Sequence, residues 1–450
     1  MRWAGAGLDD YQISCGGVGP DTTRVDDRVL RPGRNCGTIR PAGRARVLID
    51  ADAYFSCLDV ALRRASRSIL VLGWDFDASI RLRPEQDEPL HALLLSLVKQ
   101  KPELEVRILV WNLSPIHAPG DPVPLIFGAD WQEHPRIRLW LDHKHPIYGS
   151  QHQKIVCLDD SLAFVGGIDL TVGRWDTPMH RLQDQSRTNA DGKPYDPVHD
   201  VQMIVDGDSA AAIASVALHR WYQATGEEVQ VRPSATDLWP PNLAPDFTDV
   251  PVAVSRTIPA SGGEPEIREI KTLTDDALRA ARQSIYIEAQ YFADAAVGEF
   301  LETTLRREHG PEIVLLTVRS DKGFLERWAM GSNRDRLIRR LRRADRFGRF
   351  RAFYPVLIGP DGDREIFVHS KLMVIDDRLL RLGSANLNRR STGLDTECDL
   401  SIEAGNEDIE PRQAIARIRN ALLSEHLGVA PAKLAAAVRD HRSLIRALES

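Results

Sequence analysis

Lysine is scarce in this chain: of its 58 basic residues nine are Lys and the other 49 are Arg. Any position that keeps a Lys does so against the chain's own bias. Cysteine is scarce as well. The five (Cys15, Cys36, Cys57, Cys157, Cys398) are odd in number, scattered and never in C-x-x-C spacing, which argues against a disulfide framework or a cysteine-based zinc site and suits reduced thiols. Long hydrophobic runs are missing. The greasiest stretches, 69–73 and 313–318, are strand-length, far short of the roughly 18 apolar residues of a membrane span. The first residues, from Met1-Arg2-Trp3-Ala4 onward, show no apolar segment followed by a small-residue cleavage site, so no secretory leader and a cytoplasmic location are expected. Positive charge is in deficit too: the formal net charge is −6, so a nucleic-acid partner, which usually requires a basic surface, is not expected.

What remains is an ordinary globular composition, 43% hydrophobic and 27% charged over 450 residues. A single core stops growing at roughly 250–300 residues, so two domains are expected. They are visible as an internal repeat. Ala61-Leu62-Arg63-Arg64-Ala65-Ser66-Arg67-Ser68-Ile69-Leu70-Val71 returns 216 residues later as Ala277-Leu278-Arg279-Ala280-Ala281-Arg282-Gln283-Ser284-Ile285-Tyr286-Ile287. Each copy reads as an amphipathic helix running into a short strand. A second strand follows in each, at 106–111 and 313–318. Helices alternating with short apolar strands predict an α/β fold made of two similar α/β/α sandwich units. The expected divisions are an N-terminal arm at 1–45, a first repeat at 46–226, a linker at 227–250 carrying Pro233, Pro240, Pro241 and Pro245, a second repeat at 251–405, and C-terminal helices at 406–450, two in number and broken near Gly428-Val429-Ala430-Pro431.

The chemistry sits in a second pair of matches. His152, Lys154 and Asp159 form H-x-K-x-x-x-x-D, and His369, Lys371 and Asp376 repeat it at an offset of 217. With this composition one match is expected by chance about 0.02 times. On extended backbone, positions i and i+2 face the same way, so each His projects with its Lys. Seven residues after each Asp begin Gly166-Gly167-Ile168-Asp169 and Gly383-Ser384-Ala385-Asn386. Small residues there allow a close backbone approach and could present donors to an anion. The set suits attack on a phosphodiester: one imidazole as nucleophile, the other as general acid, and two ammonium groups on the non-bridging oxygens. Retention of Lys at 154 and 371 in an Arg-rich chain points to a need for a compact point charge.

These residues resemble the signature of the phospholipase D superfamily. Further stretches resemble bacterial phospholipase D proper: residues 163–170, Gly173-Arg174-Trp175-Asp176-Thr177-Pro178-Met179-His180, His199-Asp200, Ile287-Glu288-Ala289-Gln290-Tyr291-Phe292 and 383–388. The resemblance implies two units related by a pseudo-twofold axis with one active site at their interface. It further implies that His152 is the nucleophile that becomes a phosphohistidine, and that His369 is the acid and then the base. Asp200 would orient His369 and Glu397 would orient His152, each pinning one ring nitrogen so that the other points at phosphorus. Lys154, Lys371 and Asn386 would hold the phosphate. Asp169, at the position of Asn386 in the first copy, cannot donate to a phosphate oxygen unless protonated. Asp159 and Asp376, with Gly166, Gly167, Gly383 and Ser384, would support the fold.

The implied activity is hydrolysis of the distal phosphodiester of glycerophospholipids to phosphatidate and free head group, with transfer of the phosphatidyl group to an alcohol as a companion reaction. The two-imidazole mechanism requires no metal and no cofactor. The implied partners are a phospholipid substrate and the membrane surface that carries it, and a monomer is expected because one chain carries both motifs. The alternatives are a superfamily nuclease, a cardiolipin-synthase-type transferase, or a non-catalytic membrane-binding module. Three other features have two readings. His143-Lys144-His145 is either an H-x-H metal pair or a loop lining the cleft. Asp176 and His180 either touch a head group or form a turn. Residues 334–351, with nine arginines in eighteen positions, form either an anion-binding patch or a solvated helix. Cys57, Cys157 and Cys398 are expected in the core.

Overall fold

The structure is a computed structural model describing residues 27–111, 130–189, 191–230, 234, 236–261, 263, 265–319, 332–360 and 362–450. Cys15, Pro233 and most of the N-terminal arm lie outside them. Fourteen strands follow one path through a fifteen-stranded sheet. In chain order the first half supplies β1 (Thr38–Ile49), β2 (Ser68–Gly73), β3 (Glu105–Trp111), β4 (Ile137–Asp142), β5 (Ile155–Leu158), β6 (Leu162–Gly166) and β7 (Val201–Asp206). The second half supplies β8 (Phe247–Ile258), β9 (Ser284–Ala289), β10 (Glu312–Leu316), β11 (Phe350–Phe353), β12 (Lys371–Ile375), β13 (Leu379–Gly383) and β14 (Glu397–Glu403). Their order across the sheet is β11-β10-β9-β12-β13-β14-β8-β1-β7-β6-β5-β2-β3-β4. Read outward from the centre, both halves have the same order. The pseudo-twofold relation passes between β1 and β8, which pair antiparallel from Thr38↔Val254 to Ala45↔Phe247.

Helices cover both faces, as continuous apolar strands require. Along β2, Ile69 and Val71 pack into a core with α1 (Asp50–Arg64) and α2 (Leu90–Gln100), whereas Leu70 and Leu72 face a different core. The second half covers the matching face with α4 (Glu269–Ala280), α5 (Ala295–Arg306) and α6 (Ser332–Ala344). On the other face one core runs through both halves under α3 (Gly207–Thr225), α7 (Ile409–Leu427), α8 (Pro431–His441) and α9 (Leu444–Glu449). The C-terminal region thus holds three helices where two were expected. Gly428 ends α7 with a φ of 63°, Pro431 opens α8, and the Ser443 hydroxyl caps α9 through the Arg446 N–H. Cys36, Cys57, Cys157 and Cys398 are buried free thiols. No helix of the described residues is long and apolar enough to cross a membrane.

The repeated Asp of each motif closes a hairpin. Asp159 accepts the N–H groups of Ser66 (2.9 Å), Arg67 (2.8 Å) and Ser68 (2.8 Å). Asp376 does the same for Arg282 (2.7 Å), Gln283 (2.7 Å) and Ser284 (2.8 Å). Each carboxylate therefore ties the β5–β6 or β12–β13 turn to the entry of β2 or β9, several residues away from the His and Lys of its own motif.

Candidate active site

The segment before each H-x-K crosses to the other half of the molecule. The His152 N–H donates to the Thr396 carbonyl (3.1 Å) and the Thr396 N–H to the Ser150 carbonyl (3.0 Å). Symmetrically, the Phe367 N–H donates to the Pro197 carbonyl (2.9 Å) and the His369 N–H to the His199 carbonyl (2.8 Å). Asp200 and Glu397 lie one residue beyond these straps, so each carboxylate is delivered to the opposite half's histidine. His152 Nδ1 lies 2.9 Å from Glu397 Oε2, and His369 Nδ1 lies 2.6 Å from Asp200 Oδ2. In both, Nε2 is left for chemistry.

Burial sets the charge states. It pushes the imidazoles of His152 and His369 well below the ordinary histidine value, helped by the ammonium of Lys154 on His152 and by Lys371 and Arg174 on His369. The same burial raises the carboxyls of Asp200 and, further, Glu397, because charge separation inside a low-dielectric site is disfavoured. The charge of Lys371 acts on His152, and that of Lys154 on His369. The two motifs therefore share one electrostatic environment.

The small residues act differently from the expected anion nest. The Gly167 N–H is used by the Val201 carbonyl (3.0 Å) and the Ser384 N–H by the Cys398 carbonyl (3.1 Å). The Ile168 N–H goes to Gln202 Oε1 (3.2 Å) and the Ala385 N–H to Asp399 Oδ1 (3.1 Å). Their function is room: a Cβ on Gly167 would collide with the Asp200 carboxylate, and one on Gly166 or Gly383 with the neighbouring strand. Ser384 stands where the first half has Gly167, and its hydroxyl donates to Glu397 Oε2 (2.5 Å).

The lysines are inequivalent. Lys154 Nζ pairs with Asp169 Oδ2 at 3.0 Å and donates to the His152 carbonyl at 3.1 Å. Lys371 donates to the His369 carbonyl, while Asn386 holds the position of Asp169. Burial, with Lys154 and Arg174 nearby, brings the Lys371 ammonium down to about 7, against the pull of Asp200. Asn386 is buried, and its Oδ1 has no hydrogen-bond partner among the described residues.

Arg174 escaped the sequence reading as a site residue because it has no repeated counterpart. Its charge acts on His369, Lys371 and Asp200, and its Nε is buried with no partner among the described residues. Asp176 and His180 are buried, 0% and 1% exposed, which removes them from any head-group surface. His145 accepts from the Trp111 indole (3.0 Å), and neither His143 nor His145 belongs to a group of converging metal-type donors among the described residues. The arginines of 334–351 are in part engaged: Arg340 pairs with Glu302 (2.5 Å), Arg351 with Glu449 (2.5 Å), and Arg349 donates to carbonyls of 304, 307 and 311. A cavity of about 630 Å³ lies beside the site but is lined by Gln153 and Thr396, together with α3, and not by His152 or Lys154.

A duplicated α/β/α chain with two crossed His–carboxylate pairs and two lysines defines the class. Residues 139–239 match the family model described as phospholipase D, and residues 275–417 that of the cardiolipin synthase, phospholipase D-like domain. The chain belongs to the phospholipase D superfamily. It is 24% identical to phospholipase D A of Dictyostelium discoideum, over 86% of this chain and 36% of that protein. It is 24% identical to phospholipase D1 of Schizosaccharomyces pombe, over 76% and 32%. The chain thus spans about a third of the length of these two relatives. Among solved structures, the phosphatidylserine synthase of Haemophilus influenzae shares the fold, with a TM-score of 0.54 and 15% identity over 86% of this chain and 88% of that one.

Proposed function

We propose that the chain is a phospholipase D-type phosphodiesterase acting on glycerophospholipids. The observation that carries this reading is the crossed pair of dyads, His152–Glu397 and His369–Asp200. Burial keeps His152 neutral, so its Nε2 can attack phosphorus. The head-group oxygen leaves with a proton from His369, whose basicity rises when the phosphodiester anion enters beside it. A phosphatidyl group on His152 then passes to water, or to another alcohol, activated by His369 as base. Lys154, Lys371, Arg174 and the Asn386 amide offset the charge that grows on the non-bridging oxygens. No reacting atom needs a metal in this scheme. The substrate assignment follows the names of the relatives and the −6 net charge, which disfavours a nucleic acid.

The experiment is product analysis by mass spectrometry after incubation with mixed phospholipid vesicles and, separately, single-stranded DNA. Release of choline or ethanolamine together with phosphatidate is expected, and added ethanol should divert phosphatidate to phosphatidylethanol. Shortened oligonucleotides with intact lipids would overturn the reading.

A further inference from the structure

Behind the active site lies a second concentration of titratable groups that the proposed chemistry does not use. It comprises Asp50, at the start of α1, His180, His199, and Glu425 in the last turn of α7. Asp50, His180 and His199 are 0%, 1% and 0% exposed, and the Glu425 side chain is 3% exposed.

A neutral imidazole carries one proton and can donate to one side only, and each of these rings has carboxylates on both sides. With the protons on the outer nitrogens, His180 Nδ1 faces Asp176 Oδ2 at 2.9 Å, and Asp176 is in turn held by Arg187 Nη1 at 3.2 Å. His199 Nε2 faces Glu288 Oε2 at 3.0 Å, and Glu288 Oε1 accepts from the Tyr286 hydroxyl at 2.5 Å. The inner nitrogens, His180 Nε2 and His199 Nδ1, then present lone pairs to carboxylate oxygens. Both lie 2.8 Å from Glu425 Oε1. His199 Nδ1 is also 3.0 Å from Asp50 Oδ1, and His180 Nε2 is 3.7 Å from Asp50 Oδ2. Asp50 Oδ2 has no hydrogen-bond partner among the described residues although Asp50 is fully buried. Four acceptors cannot face one another at these distances without positive charge between them.

Either two further protons or one divalent cation meets that need. The geometry points to the cation: we propose that Asp50, His180, His199 and Glu425 form a closed site for one zinc-class ion. One donor atom from each of the four residues lies within 4.8 Å of the others. The two nitrogens, each 2.8 Å from Glu425 Oε1, need only a small outward shift to reach the roughly 3.4 Å edge of a tetrahedron with bonds of about 2.0–2.2 Å. Two imidazoles and two carboxylates suit zinc better than calcium or magnesium, which prefer all-oxygen shells. Asp176 and Glu288 are the outer carboxylates that fix the tautomers of metal-bound histidines. His426 lies against the site, its ring 4.5 Å from that of His199, with neither nitrogen hydrogen-bonded among the described residues; it is a reserve donor. Such an ion is a staple. It joins α1, the 176–187 loop and α7 to His199, whose carbonyl holds the His369 N–H and whose neighbour is Asp200.

The test is metal content of untagged full-length protein grown with zinc in defined medium. About one zinc per chain is expected, and cobalt-grown protein should show the intense visible bands of tetrahedral Co²⁺. Glu425→Gln, which keeps shape and removes charge, should bind less than about a tenth of an equivalent. X-ray absorption of the wild type gives a readout independent of the variant's folding: a nitrogen/oxygen shell with imidazole scattering and no sulfur. Wild-type protein that holds no metal, even after dialysis against zinc, would show that protons fill the site and overturn the proposal. Full metal retention in a folded Glu425→Gln protein would place the ion elsewhere and overturn it equally.

Discussion

The two halves share strand order, motif and hairpin anchor, yet they differ where the charge is set. In the first half Lys154 is neutralised by Asp169 at 3.0 Å; in the second, Asn386 replaces that carboxylate and the Lys371 ammonium falls to about 7. Behind the dyads the asymmetry recurs: Gly167 leaves space beside Asp200, whereas Ser384 donates to Glu397 at 2.5 Å. Duplication supplies a symmetric scaffold, but displacement at phosphorus needs an attacking side and a leaving side. In the proposed mechanism the attack falls to His152, whose carboxylate partner is locked by a hydroxyl, and proton traffic to His369, next to the lysine whose charge changes near neutral pH.

The largest effect tests whether both halves are needed at once. His152→Ala and His369→Ala should each lower turnover of a choline or ethanolamine phospholipid by about 10⁴-fold or more, and the double variant should be no worse than the poorer single, since the two groups act as a unit. Single variants that each keep about half the turnover would mean two independent sites, and additive losses would mean that the two histidines do not act as a unit. Next come the crossed carboxylates. Glu397→Gln and Asp200→Asn should each cost about 10³-fold in kcat with little change in KM, because the amide spoils the tautomer while leaving the shape. If losses follow the half in which the carboxylate lies, and not the histidine it touches, the crossing is functionally silent.

A smaller effect addresses the lysines. Lys371 carries its charge below about 7 and loses it as pH rises through that value, so kcat/KM of the wild type should decline on that alkaline side. Asn386→Asp places a carboxylate there, stabilises the ammonium and should move the alkaline limb up by about one pH unit, while added negative charge raises KM. Burial holds His152 neutral well into the acid range, so the acid limb should lie below that of ordinary histidine. An unmoved alkaline limb in Asn386→Asp would remove Lys371 as its source. The smallest effect on turnover belongs to Asp376→Ala. Losing three charge-assisted N–H bonds should cost about 3 kcal/mol of stability, read by denaturant unfolding, with kcat of the folded protein within about twofold.

The doubled motif and its offset were legible because strand periodicity and hairpin length are local. The pairing of Glu397 with His152 rested on resemblance, since no local pattern reveals that 150–152 is strapped to 396 or that 367–369 is strapped to 197–199. The central strands were missed for a physical reason. β1 and β8 begin inside stretches expected to be irregular, their exposed and buried positions are mixed, and Pro41 faces Pro251 across the pairing where neither can donate. The His180–His199–Glu425–Asp50 cluster draws on four distant segments, and only tertiary structure brings such residues together.

The central claim is that the first half attacks and the second half moves protons. It is tested most directly in His369→Ala, given a phosphodiester that leaves as p-nitrophenolate and so needs no acid. Acid-quenched samples mapped by peptide mass spectrometry should show an adduct accumulating on His152, because the base for its hydrolysis is gone. An adduct on another residue, or p-nitrophenolate released with no adduct at all, would contradict the assignment.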